Sequence, residues 1–126
     1  MNTYNPLFEQ DKEEWLGASE LDRLVAVREF HERSGEEFEE GALMVHSSIH
    51  VIVENQLAEG VDLIPETVAK LIRQGLNRHE AIHAIGAIIS EDIYNIVRGK
   101  DIEFSPKKYR KKLEKITAKR WSKGQY

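Results

Sequence analysis

From residue 42 onward apolar residues recur three or four positions apart, punctuated by Gly and Pro. Nowhere does the chain alternate apolar and polar residues with period two over a strand's length. The first spacing stacks side chains on one face of an α-helix, whereas a half-buried strand requires the second. No hairpin dipeptide separates two candidate strands either. The expectation is an all-α chain, a compact bundle of four to five helices.

Local signals place the boundaries. Asp11 to Glu14 ahead of Trp15 reads as a short capped turn, with Leu7, Phe8 and Trp15 anchoring the N-terminus. Ser19 caps a longer helix on which Leu21, Leu24, Val25 and Arg28 repeat at helical spacing until Ser34-Gly35. The acidic run EEFEE at 36–40 is a solvated loop before a helix start, where the macrodipole favours negative charge. The spacing predicts helices from about 42 to 58, ending at Gly60, and from Pro65 to Gly75. A further helix runs from Asn77, with Glu80 in the capping-box position, to about Arg98-Gly99, and a last one from Pro106 to about Trp121.

At 126 residues the length suits one modest core. Cysteine is absent, so disulfides and thiolate metal sites are excluded, and any metal must be held by imidazole and carboxylate. The overall charge of -4 hides an asymmetry: residues 105–126 carry nine Lys or Arg against the single acid Glu114. The chain therefore divides into a helical, histidine-containing part, 1–104, and a basic C-terminal helix or tail, 105–126. The first thirty residues hold Glu9, Asp11, Glu13 and Glu14 and no apolar run, unlike a targeting peptide, and no segment is long and apolar enough to span a bilayer. A cytoplasmic protein without a membrane partner is expected.

Four of the five histidines fall in two segments, HSSIHVIVE at 46–54 and RHEAIHAIG at 78–86. Each contains His-x-x-x-His, which places two imidazoles one helical turn apart, where both can reach one metal at about 2.0–2.1 Å. Chance supplies roughly 0.2 such pairs in a chain with this histidine content, so the doubling carries weight. On a helical wheel His46 and His50 share a stripe with Leu43, Val53 and Leu57, with Glu54 on its flank. His79 and His83 share one with Ile82, Gly86, Ser90, Ile93 and Val97. If the two helices pack together, His46, His50, His79 and His83 converge on one divalent transition metal, such as zinc, or on two adjacent ones. Glu54 then serves as a further ligand or fixes an imidazole tautomer. Gly86 marks a close approach of backbone or ligand. The competing reading makes the histidines structural core residues. His31, near a helix end, is expected at the surface or as a cap.

The pattern His79-Glu80-x-x-His83 also matches that of zinc hydrolases, in which the glutamate activates water as general base. Glu80 is thus the candidate catalytic residue, although its capping position explains it more simply, and whether the chain is an enzyme stays open. A di-iron carboxylate bundle would need glutamates where Leu43 and Ser47 stand.

The segments HSSIHVIVENQLA at 46–58 and LIRQGLNRHEAIHAIG at 71–86, with NPLFEQDKEEWL at 5–16, resemble an uncharacterised bacterial family, domain of unknown function 1841. The resemblance covers roughly residues 4 to 97, with His46, His50, Glu54, Gln56, Arg78, His79, Glu80, His83 and Gly86 at the motif positions. It implies a small helical bacterial protein with recurrent histidines and no particular activity.

In the basic tail Tyr109, Leu113 and Ile116 form a narrow apolar stripe among the charges. Lys107, Lys108, Arg110, Lys111 and Lys112, with Trp121 and Tyr126 nearby, are the candidates for contact with RNA or an acidic partner. The alternative to a metal protein is therefore a non-metal adaptor or RNA-associated module. Long apolar stripes on a short chain also suit a homo-oligomer.

Overall fold

The computed structural model describes residues 3–39, 41–97 and 105–126. They form seven α-helices and no strand, so the all-α expectation holds while the helix count exceeds four to five. Two short helices account for the excess. The turn expected after Asp11 is a helix of its own, α1 (Lys12–Gly17), and the basic tail divides into α6 (Pro106–Lys115) and α7 (Ala118–Ser122). That tail breaks because Ile116 is extended and Thr117 begins a new helix, its hydroxyl accepting from the Arg120 N–H. The expected helix end at Arg98-Gly99 and the division at residue 104 lie outside the described residues.

The chain forms two compact units, residues 1–61 and 62–126. In the first, α2 (Glu20–Arg33) and α3 (Ala42–Glu59) pack together, with α1 on α3. Tyr4, Trp15, Val27 and Val51 form its buried centre, with Leu16, Leu24, Ala26, Phe30 and Ala58 around it. Arg23, only 8% exposed, joins the three helices. Its guanidinium donates to the Trp15 and Leu16 carbonyls at 2.7 and 2.9 Å, satisfying the open end of α1, and to Asn55 Oδ1 at 3.0 Å. Trp15 Nε1–H reaches the same Asn55 oxygen at 2.9 Å.

The buried face of α2 differs from the sequence expectation. Leu21 and Val25 are exposed, and Arg23, Val27 and His31 are buried. Apolar residues surround this helix, so their spacing selects no single face, and contact with α1 and α3 does. Similarly, the buried side of α3 is Ser47, His50, Val51 and Glu54, with Val53, which moves Glu54 from the expected flank to the interior.

In the second unit α4 (Ile64–Arg73), α5 (Arg78–Val97) and α6 pack mutually. Pro65 sits in the first turn of α4, and Asn77 Oδ1 accepts from the Glu80 N–H at 2.8 Å to cap α5. Ile64, Val68, Leu71, Ile82, Ile85, Ile88, Tyr109, Leu113 and Ile116 are buried. Lys70 Nζ donates to the Leu113 and Glu114 carbonyls at 3.2 and 3.3 Å, so the last turn of α6 is closed by a cation.

Candidate metal centre

Helical spacing places His46 and His50 one turn apart on α3, and the packing of α2 against α3 adds His31. The ring centroids stand 4.6 Å apart for His31 and His46, 4.7 Å for His31 and His50, and 4.9 Å for His46 and His50. His31 and His50 hold ring nitrogens within 4.8 Å of one another, a separation that one metal can bridge. Thus His31 is a buried member of this cluster, 1% exposed, rather than a surface or capping residue. The signal for it was its spacing of four from Val27, obscured by the neighbouring apolar residues.

Hydrogen bonding fixes which nitrogen of each buried ring carries the proton. His31 Nδ1 lies 2.8 Å from the Val27 carbonyl oxygen, which only accepts. Nδ1 therefore bears the hydrogen, and Nε2 of the neutral ring carries the lone pair. Burial pushes the His31 pKa below its usual 6.5, outweighing the raising effects of the Val27 carbonyl and nearby Glu36, so the neutral ring is favoured.

At His50 the same outcome arises through Tyr4. The Tyr4 hydroxyl donates its one proton to Glu54 Oε2 at 2.6 Å, so toward His50 Nδ1, 3.1 Å away, it can only accept. His50 accordingly donates from Nδ1, and in the neutral ring Nε2 is the nitrogen that carries the lone pair. Tyr4, His50 and Glu54 are each 1% exposed. Glu54 thus acts on His50 through the tyrosine. Orientation of a ligating imidazole by such an outer partner is the usual arrangement in metal sites.

Aromatic side chains enclose the cluster. Tyr4 meets His50 and Phe30 edge-on at 6.1 and 5.9 Å, and Phe38 lies 6.0 Å from His31 and 5.3 Å from His46. His46 is half-buried and borders an open cleft of about 630 Å³ with Phe38, Val45 and Ile49. His31 borders another of about 360 Å³, with Arg28, Phe38 and Met44. An apolar surround with an open side suits a site that exchanges a small ligand with solvent.

In the second unit His79 and His83 stand on the first two turns of α5, half-buried, with ring centroids 4.3 Å apart and ring nitrogens within 4.8 Å. The expected chelating pair is thus formed within one helix. Glu80 is exposed, and its amide serves the Asn77 cap. Gly86 is buried, its carbonyl accepting from the Ser90 hydroxyl at 2.7 Å.

The five residues expected to face nucleic acid divide into two groups. Lys107, Lys108 and Lys111 are exposed and make no ion pair among the described residues. Arg110 is paired with Asp62 and Glu114, and Lys112 with Glu91 and Asp92.

No helix among the described residues is long and apolar enough to cross a membrane. No protein-family model matches the chain, and comparison with curated proteins and with solved structures finds no match.

Proposed function

We propose that this chain binds a divalent transition metal, zinc being the best-suited candidate, through its histidines. Imidazole suits zinc, copper, iron and nickel, and zinc takes it readily in four-coordinate sites. The ligands are His31 and His50 in the first unit, with His46 beside them, and the His79/His83 pair in the second. The observation that carries the reading is the convergence of imidazoles: ring nitrogens of His31 and His50 lie within 4.8 Å of one another, as do those of His79 and His83, with the Val27 carbonyl and the Tyr4 hydroxyl orienting His31 and His50 through Nδ1. The resemblance to the bacterial family and a cytoplasmic location belong to the same proposal. Glu80 is exposed and its amide serves the Asn77 cap, so the reading stops at binding.

The test is plasma mass spectrometry on untagged protein purified without added metal, with His31→Ala, His50→Ala and His83→Ala variants. Near-stoichiometric metal in the parent, lost from the first two variants and reduced in the third, is the expected result. A well-folded parent that stays metal-free when zinc is added and dialysed away would overturn the reading.

A further inference from the structure

The second unit carries a surface with a chemistry unrelated to the histidines. Residues 62–126 hold fourteen Lys or Arg against eight Asp or Glu, a net of +6, while residues 1–61 stand at -10. The excess positive charge collects on α6 and α7. Lys107, Lys108, Lys111, Lys115, Lys119 and Lys123 are all exposed, and none forms an ion pair among the described residues. Arg110 and Lys112 are set apart from them by their acidic partners within the unit.

Lys107, Lys111 and Lys115 follow one another at intervals of four residues, a row of about 12 Å at 1.5 Å per residue, with Lys108 beside it. On α7 and just beyond it, Trp121 and Tyr126 pair their rings at 5.3 Å, with Tyr126 46% exposed. Phosphate-binding cations beside exposed aromatic faces are the two components of a single-strand binding surface: the cations track the backbone and the rings stack on bases.

An anionic membrane is the obvious competitor for a lysine-rich helix. A helix that lies in a bilayer surface buries an apolar face in the headgroup region, which adds to the attraction of its lysines for anionic lipid. On α6 that face is Tyr109, Leu113 and Ile116, all buried, in a helix packed against α4 and α5. The lysines remain outward with no free apolar stripe beneath them.

We propose that the outward face of α6 and α7 binds single-stranded nucleic acid, with Lys107, Lys108, Lys111 and Lys115 on the phosphates and Tyr126 with Trp121 as the stacking platform. This surface is independent of the metal reading. With about four phosphates engaged, the logarithm of affinity falls against the logarithm of salt with a slope of about -2.8, about 50-fold between 50 and 200 mM.

The experiment is fluorescence anisotropy of labelled oligouridine with the full chain across that salt range, with phosphatidylserine vesicles as a second probe. Circular dichroism verifies folding of the variants, whose changed side chains are exposed. The triple variant Lys107→Gln, Lys111→Gln, Lys115→Gln is expected to weaken binding at least tenfold and to flatten the slope to about -0.7, one remaining contact. Tyr126→Ala is expected to weaken binding about fivefold or more with the slope unchanged, the signature of lost stacking rather than lost charge. Absence of oligouridine binding at 50 mM salt would overturn the proposal. So would undiminished binding by the folded triple variant, or vesicle binding without oligouridine binding.

Discussion

Replacing Tyr4 by phenylalanine removes one oxygen and leaves the ring contacts with Trp15, Phe30 and His50 in place. That oxygen donates to Glu54 at 2.6 Å and faces His50 Nδ1 at 3.1 Å, so two separable effects are expected. A hydrogen bond to a carboxylate contributes about 1.5–3 kcal/mol, which for a chain of this size lowers the melting temperature of the metal-free protein by about 5–10 °C. Without Tyr4 the Nδ1–H tautomer of His50 loses the acceptor that favours it. Loss of such an outer partner weakens metal binding about 10- to 100-fold, or about 1.4–2.8 kcal/mol. Both effects are measured on one preparation, by thermal melting of metal-free protein and by zinc titration against a chromophoric chelator. A variant that melts lower but binds zinc within about twofold of the parent would refute the argument, since Tyr4 would then support the core without orienting His50. Unchanged melting would show that the Tyr4–Glu54 bond contributes nothing.

Other perturbations have equally definite outcomes. Trp15→Ala empties the centre of the first unit, where the indole is 1% exposed and bonded to Asn55, and should cost about 3–5 kcal/mol in denaturant titration. Asn77→Ala removes the cap of α5 and should cost about 1 kcal/mol; an unchanged denaturation midpoint would discount the cap. Because burial depresses the His31 pKa, the unfolded chain takes up that proton first as pH falls below 6.5. The contribution of His31 to the stability of the metal-free protein should therefore be fully present above about pH 6.5 and be lost progressively below it, so that a His31→Leu variant should decline less steeply over that range.

Much of the helical framework was legible because its causes are local. Ser19, Gly60, Pro65, Asn77 and Pro106 act on backbone within four residues of themselves, and each stands where the sequence places a helix boundary. His46 with His50 and His79 with His83 were legible for the same reason: helical geometry alone stacks positions four apart. The break at Ile116 was less visible, since the tail has no Gly or Pro there and depends on Thr117 starting a new helix.

What the sequence alone determined is therefore the helices, their ends and the histidine pairs within them. Only tertiary structure decided that α2 turns His31 inward to His46 and His50, and that Arg110 and Lys112 are paired while Lys107, Lys108 and Lys111 are not. It also brought Tyr4 to Glu54, fifty residues away along the chain. These outcomes depend on which faces of packed helices meet, and periodicity cannot select a face on a helix that is apolar on several sides. The proton on His50 likewise follows from a hydroxyl delivered by a distant segment, so the chemistry of that ring was fixed by packing.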